Sequence, residues 1–142
     1  MTQTLAFYLT VLYKDFSSYT GQKLRELGLT YGQLPFIVAV GKYPGCTPSE
    51  VTKLLHMDWG HSQRSITKLE EDGFIRKERN MRLNHLFLTE QGQKAFETGH
   101  EVFESWDREN LHDLEPQEKE QLLNILQRLS DKSRKKWQNE TV

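Results

Sequence analysis

The chain has 142 residues, of which 36% are hydrophobic and 27% charged, and its formal net charge is −1. This length suffices for one compact domain and is too short for two independent cores. No apolar run of about 18 residues and no basic-then-apolar N-terminus occur, so neither a membrane span nor a signal peptide is predicted. Because the single cysteine, Cys46, cannot form an internal disulfide, we expect a cytoplasmic protein.

The first predicted element is an N-terminal helix with a broad apolar stripe. The stripe repeats at spacings of four and three and consists of Leu5, Leu9, Leu12, Phe16 and Tyr19. So much apolar surface needs cover from several neighbours or from a partner subunit. Gly28 ends this pattern, and Thr30 with Gln33 forms a capping-box signature for a second helix, which Tyr43-Pro44-Gly45 stops.

Two short helices follow, separated by a tight connection. In Thr47-Pro48-Ser49-Glu50 the threonine is placed as N-cap, with proline at the first helical position and glutamate at the third. The short helix that it opens is predicted to face inward through Val51, Leu54 and Leu55. The next helix, after Met57-Asp58, is predicted to bury Ser62, Ile66 and Leu69 and to end at Gly73.

The other faces of this later helix are polar and rich in hydrogen-bond donors. They carry His61, Gln63, Arg64, Thr67 and Lys68. Gln63 and Arg64 are the best candidates for base readout, because an amide can pair with adenine and a guanidinium with guanine. We expect Thr67 to contact a thymine methyl or a phosphate, and Lys68 and His61 to contact phosphates. Without a neighbouring hairpin, an ordinary exposed helix face would be the preferred interpretation.

A basic β-hairpin is predicted next, entered through Phe74-Ile75. Its charges are Arg76, Lys77, Arg79 and Arg82 against Glu78 alone. A helix pair beside a charged hairpin is typical of proteins that grip duplex DNA, so DNA binding is the leading hypothesis. The three arginines favour the backbone and the narrow minor groove of A·T-rich DNA. Alternatively, one of them forms a structural salt bridge, such as Arg76 with Glu78 or with an acidic residue of the following helix.

Two long helices complete the predicted order. Thr89 caps the first of them, and Pro116 marks the start of the last, whose apolar stripe is Leu122, Ile125, Leu126 and Leu129. The segment from Glu90 to Leu122 is acidic, which we interpret as ordinary solvated helix faces.

Thr47 and Ser49, at the start of the short helix, are further candidates for binding a phosphate through free backbone amides. Capping alone explains those two residues equally well.

The ordered series of motifs resembles the MarR family of bacterial transcriptional regulators, which are winged-helix dimers. The matching segments are Leu29-Thr30-Tyr31-Gly32-Gln33, Thr47-Pro48-Ser49-Glu50-Val51, Leu69-Glu70-Glu71-Asp72-Gly73-Phe74-Ile75-Arg76, and Arg82 followed by Leu88-Thr89-Glu90-Gln91-Gly92. The resemblance implies a mainly α fold with a small β-hairpin wing. Residues 29–89 would form the winged helix-turn-helix DNA-binding lobe, and residues 1–28 and 90–142 the helical dimerisation region.

For the individual residues, the resemblance implies that the helix from about Gly60 to Asp72 is the recognition helix. Arg82 would be the wing arginine that reaches the minor groove. Regulators of this family commonly respond to small phenolic or lipophilic ligands in a crevice between the dimer helices and the DNA-binding lobe. Residues proposed to line such a crevice are Phe16, Phe36, His56 and Trp59, although aromatic residues at helical spacing are usually core.

Redox and metal chemistry are not predicted. The peroxide-sensing branch of the family carries its reactive cysteine in the first helix, and residues 1–29 contain none. Cys46 is therefore expected to be a small unreactive residue, although a helix N-terminus does lower a thiol pKa. Because no cluster of Cys and His ligands occurs, we expect no required metal or other cofactor.

The sequence thus predicts a homodimeric transcription regulator that binds double-stranded DNA at a palindromic operator and is released by a small-molecule ligand. One alternative is a winged-helix module that binds a protein instead of DNA, which would be expected to have an apolar recognition face. The other is an enzyme, for which no Gly-rich phosphate loop, nucleophile elbow or paired acid-base set occurs. Enzymatic activity is therefore not predicted.

Overall fold

The computed structural model describes residues 3–140, with side chains described up to residue 133. Residues 1–2 and 141–142, the ends of two segments of the predicted dimerisation region, lie outside the described residues. The elements are α1 (Leu5–Arg25), a 3-10 turn (Tyr31–Gln33), α2 (Leu34–Lys42), α3 (Pro48–Leu54), α4 (Trp59–Glu71), β1 (Ile75–Asn80), β2 (Leu83–Leu88), α5 (Glu90–Leu111) and α6 (Pro116–Glu140). The predicted fold class, mainly α with a β-hairpin wing, is confirmed.

The chain divides into two units, Met1–Trp106 and Asp107–Val142. The first unit holds the hydrophobic core, to which α2 contributes the buried residues Leu34, Phe36, Ile37, Ala39 and Val40. Its largest fully enclosed side chains include Leu24, Leu29, Leu34, Phe36, Ile37, Ile66, Leu69 and Leu86. The second unit holds α6, whose Leu122, Leu123, Ile125 and Leu129 are exposed. None of the described helices is long and apolar enough to cross a membrane.

The starts of α3 and α4 are set by side-chain caps. Thr47 Oγ1 accepts from the Glu50 amide at 3.2 Å, and the Glu50 carboxylate accepts from the Thr47 amide at 3.5 Å. Asp58 caps α4 by accepting from the His61 amide at 3.0 Å. Each cap satisfies backbone amides that have no partner inside a helix. Both predicted helix starts are therefore confirmed.

One predicted burial in α3 is wrong. Leu54 was expected to face inward with Val51 and Leu55, but 49% of its surface is exposed. The inward residues are Val51, Thr52 and the partly buried Leu55. Successive helix residues are rotated by about 100°, so Thr52 and Leu54 lie on opposite sides of the line through Val51 and Leu55. The buried face extends toward Thr52, whose hydroxyl lies 2.6 Å from Ser62 Oγ of α4, and Leu54 is left exposed.

The wing is an antiparallel hairpin with a short loop. Its register runs from Ile75 opposite Leu88 to Asn80 opposite Leu83, which leaves Met81 and Arg82 as the loop residues. The chain before α3 adds a bridge to β2, because Cys46 and Leu86 pair and the Leu86 amide donates to the Cys46 carbonyl at 2.8 Å. The base of the wing is thereby attached to the helix-turn-helix segment.

The apolar stripe of α1 is largely uncovered in the single chain. Its N-terminal side chains Leu5, Leu9 and Leu12 are all exposed, and the buried residues of α1 are Thr20 and Leu24. Further along, Phe16 contacts the rings of Tyr31, Phe103 and Trp106. The sequence predicted that the N-terminal helix needs cover from several neighbours or from a partner subunit. The exposed apolar side chains of α1 agree with that prediction.

Candidate DNA-binding surface

The outer face of α4 gathers the residues that the sequence analysis assigned to base and phosphate contacts. Ser62, Ile66 and Leu69 are buried on the inner face, which leaves the opposite side of the helix toward solvent. A shallow concavity of about 350 Å³ is lined by Gln63, Arg64, Thr67, Lys68 and Glu71. His61 is exposed at the start of the same helix. This face therefore presents the side-chain amide of Gln63, the cationic donors of Arg64 and Lys68, and the methyl group of Thr67 side by side.

Glu71 was not singled out by the sequence analysis. It lies four residues after Thr67, so helical spacing places it at the end of the same face. A carboxylate at this position can accept from the exocyclic amine of cytosine, and it repels phosphates. The spacing of four residues from Thr67 is the sequence signal that identifies Glu71 as part of this face.

Gln63 is held differently from its neighbours on this face. Its side-chain amide nitrogen is enclosed and has no hydrogen-bond partner among the described residues. An unsatisfied buried donor costs about 1–3 kcal/mol. Rotation of the amide outward would bring this nitrogen to water in the free chain or to a base edge in a DNA groove, where it can donate a hydrogen bond.

Two lysines near this face are paired with carboxylates. Lys68 Nζ lies 3.2 Å from Oδ1 of Asp72, the C-cap residue of α4. Lys77 Nζ lies 3.0 Å from Glu70 Oε2, which joins β1 to α4. Exposed ion pairs of this kind contribute only about 0–1 kcal/mol. A DNA phosphate can therefore compete for Lys68, while the Lys77 pair links the wing to α4.

Of the two interpretations left open for Arg76, the structure contains the ion pair with Glu78. The Arg76 guanidinium lies 2.5 Å from Glu78 Oε1 and its Cζ lies 4.6 Å from the centre of the Phe87 ring. This guanidinium is held against the side of the hairpin. Arg79 and Arg82 are exposed toward the tip, so they are better placed to reach a groove.

Comparison with known proteins places the chain in a family. No family model matches, but the HTH-type transcriptional regulator BilQ of Clostridium symbiosum is 39% identical over 132 residues, spanning 91% of this chain and 92% of the relative. The chain belongs to the MarR family of transcriptional regulators. The BilQ regulator of Clostridioides difficile is 26% identical over 91% of this chain and 89% of its own length.

Solved structures of this family have the same fold. The transcriptional regulator SlyA superposes with a TM-score of 0.83 at 24% identity, covering 96% of this chain and 98% of its own. A MarR family regulator of Listeria monocytogenes, crystallised with a 26mer DNA, gives a TM-score of 0.80 at 22% identity, covering 96% and 93%. The curated relatives are regulators, and they do not favour the alternative of a module that binds only protein.

The remaining predicted site residues lie in different surroundings. The Thr47 hydroxyl is used in the cap of α3, and Ser49 is exposed beside it. Of the four residues proposed to line a ligand crevice, Phe36 is fully buried. Phe16 lies in the aromatic cluster with Tyr31, Phe103 and Trp106, whereas His56 and Trp59 are exposed around the start of α4. The phosphate and ligand roles of these residues stay predictions.

A buried hydrogen bond joins α3 to α4, and its donor can be assigned. Thr52 Oγ1 donates to the Pro48 carbonyl at 2.7 Å and lies 2.6 Å from Ser62 Oγ. Because Thr52 has a single hydroxyl hydrogen, Ser62 must donate to Thr52. This bond lies at the contact between the two helices, directly beneath the outer face of α4.

We expect Thr52→Val to be the more damaging substitution at this contact, because it leaves the buried Ser62 hydroxyl without its acceptor. It should lower the free energy of unfolding by about 1–3 kcal/mol, whereas Ser62→Ala should cost about 1 kcal/mol. Urea unfolding at one fixed protomer concentration measures both, and the double variant gives their coupling. A larger loss in Ser62→Ala than in Thr52→Val would contradict the donor assignment.

Cys46 is buried at the bridge to β2. Burial raises the pKa of its thiol above the ordinary value, and the nearby Glu50 carboxylate raises it further. The raised pKa means that the folded chain disfavours the thiolate, the reactive form. Stability from this group is fully present below the pKa of the unfolded thiol and is lost as pH rises through the folded pKa.

Alkylation by iodoacetamide at mildly alkaline pH should therefore be much slower in the folded chain than in urea. The rate can be followed by mass spectrometry, and Cys46→Ala supplies the unlabelled control. Equal rates in the folded and unfolded chain would contradict the prediction that this cysteine is unreactive.

Proposed function

We propose that this regulator is a homodimeric repressor that binds an inverted-repeat operator in double-stranded DNA and is released by a small-molecule ligand. The observation that carries the proposal is the polar outer face of α4 beside a basic wing. In the proposed complex, Gln63 and Arg64 read base edges in the major groove, and Arg82 enters the minor groove. Thr67, Lys68 and His61 contact the flanking bases and phosphates.

The attachment of the wing to α4 supports a joint role for these two elements. The Cys46–Leu86 bridge and the Lys77–Glu70 ion pair both tie the hairpin to the helix-turn-helix segment. DNA contacts in two adjacent grooves require such a fixed separation, because the spacing of the grooves is set by the duplex. The solved MarR family relative with a 26mer DNA is further support for this partner.

Dimerisation is proposed to use residues 1–28 and 90–142, with residues 29–89 as the DNA-binding lobe. The support is the uncovered apolar surface of Leu5, Leu9 and Leu12 on α1 and, separately, of Leu122 and Ile125 on α6. Contiguous exposed apolar surface on a small protein is typical of an interface. Two lobes related by a two-fold axis would read half-sites about one helical turn apart.

Release is proposed to follow from a ligand that binds two arrangements of the dimer unequally, since only a difference in affinity can shift their populations. A small phenolic or lipophilic molecule is the proposed class. Any such ligand must change the separation or orientation of the two α4 helices, because their spacing has to match that of the half-sites.

The proposed function can be tested by letting the full-length chain select duplexes from a random-sequence pool. Enrichment of an inverted repeat with half-sites about one helical turn apart is the expected result. Enrichment of a single unrepeated site would contradict the two-fold arrangement. Recovery of no preferred sequence would contradict operator binding itself.

A further inference from the structure

Met81, at the tip of the wing, has a backbone conformation and an exposure that do not stabilise the fold. Met81 is the first of the two loop residues between β1 and β2, and 93% of its surface is exposed. Its φ is 60°, whereas the second loop residue, Arg82, does not have a positive φ. A methionine therefore occupies the loop position where the backbone is left-handed, and its apolar side chain projects into solvent.

Neither the positive φ nor the exposed side chain of Met81 stabilises the free chain. Positive φ at the first position of a two-residue hairpin loop favours glycine, because a side chain there meets the neighbouring carbonyl oxygen. An exposed methionine also removes no apolar surface from water, so it gives no stabilisation in return. An unfavourable backbone conformation that persists without a packing benefit is a reason to look for a role in binding.

The surroundings of Met81 identify the kind of partner. Arg82 follows it directly and Arg79 lies two residues before it, and both are exposed, so a polyanion is favoured over an apolar protein surface. A two-residue loop puts the side chains of Met81 and Arg82 at the end of the hairpin, so these side chains can enter the minor groove, which is about 6 Å wide. Proteins that enter this groove frequently insert a methionine or another apolar side chain between base steps, which unstacks and bends the duplex.

We propose that Met81 is a DNA-contacting residue that enters the minor groove beside Arg82 and wedges against a base step, bending the operator. This inference rests on the proposed function, because it requires that the wing meets DNA. Arg82 supplies the electrostatic attraction, and Met81 supplies apolar contact and the bend. Pyrimidine–purine steps are the expected location, since they unstack most easily.

The test compares Met81→Gly and Met81→Asn with the wild-type chain on the duplex selected from the random pool. Both replacements tolerate positive φ, so neither should lower the melting temperature. Affinity should fall about tenfold or more, the loss expected when one methionine side chain is no longer buried. The operator bend, measured by energy transfer between dyes at the duplex ends, should decrease. Leu54→Gln, at another exposed apolar residue, should change neither the affinity nor the bend.

The outcomes separate this inference from the proposed function. If Arg82→Ala weakens binding but both Met81 variants bind and bend the operator like wild type, the wedge is overturned and operator binding stands. Lower affinity with an unchanged bend also overturns the wedge. If the wild-type chain selects no duplex, the proposed function and this inference fail together.

Discussion

Gly92→Ala should lower the free energy of unfolding by about 3 kcal/mol or more. A Cβ at this position would overlap the backbone carbonyl oxygen of Phe74 and lie 3.2 Å from Leu88 Cδ2. The carbonyl has little room to move, because it accepts from the Thr89 amide at 3.1 Å. Thr89 Oγ1 in turn donates to Gly73 O and accepts from the Gly92 amide. The substitution therefore disturbs the junction of the wing and α5.

Gly32→Ala is the matched control for this experiment. Gly32 is exposed in the 3-10 turn, and an added Cβ would meet only Thr30 Oγ1, at 3.9 Å. Its effect should stay within about 0.5 kcal/mol. Urea unfolding followed by circular dichroism, at equal protomer concentration, measures both variants. A Gly92→Ala variant as stable as Gly32→Ala would contradict the close packing at the start of α5.

Arg64→Ala should lower the affinity for the selected operator by about five- to a hundredfold, the range expected for one bidentate base contact. The exposed guanidinium lies on the outer face of α4 between Gln63 and Thr67, with the body of the helix held below it by Ile66 and Leu69. Because the side chain is not part of the core, the melting temperature should not change. Fluorescence anisotropy with labelled operator measures the loss.

Lys94→Ala is the control for charge, because it removes the same unit of charge from an exposed position on α5. It should leave the affinity unchanged at physiological salt, where exposed charges are screened beyond about 8 Å. Operators substituted one base pair at a time add a second readout. A base reader loses discrimination at one position of each half-site, whereas a phosphate contact weakens all sequences alike. The latter result for Arg64 would assign it to the backbone.

Local patterns account for much of what the sequence predicted correctly. The structure contains the full capping box at Thr47, and at Thr30 the Gln33 side chain accepts from the Thr30 amide at 2.9 Å. Both signals depend on side chains only three residues apart. Ser62, Ile66 and Leu69 share the buried face of α4 because helical spacing forces them onto one side. The hairpin was predicted from the basic segment that follows Phe74-Ile75, and each of these features is complete within a short stretch of chain.

The features that sequence reasoning did not settle depend on contacts between distant residues. Leu54 was placed inward because it is apolar, but its exposure depends on where α4 packs against α3. Arg76 could be left only with open alternatives, since its position against Phe87 requires the register of the two strands. The isolated pairing of Cys46 with Leu86 joins residues that are 40 positions apart, so no local motif predicts it.

The proposed ligand crevice is a similar case. The resemblance to the MarR family implies the crevice itself, but residue type alone does not show which side chains the fold brings together. Phe36 is enclosed in the core, and Phe16 contacts Phe103 and Trp106. The inducer site therefore remains a prediction, while the proposed DNA contacts of α4 share one helix face and need only local geometry.

We expect the α4 face and the wing to bind duplex DNA in a sequence-specific manner. The most direct test of this binding is fluorescence anisotropy of the full-length chain with the selected operator and a scrambled duplex of equal length, across a salt series. We expect about a thousandfold or greater preference for the operator at physiological salt, with both affinities falling as salt increases. Equal binding to the two duplexes at every salt concentration would contradict sequence-specific binding and leave only phosphate attraction. No binding to either at low salt would contradict DNA binding altogether.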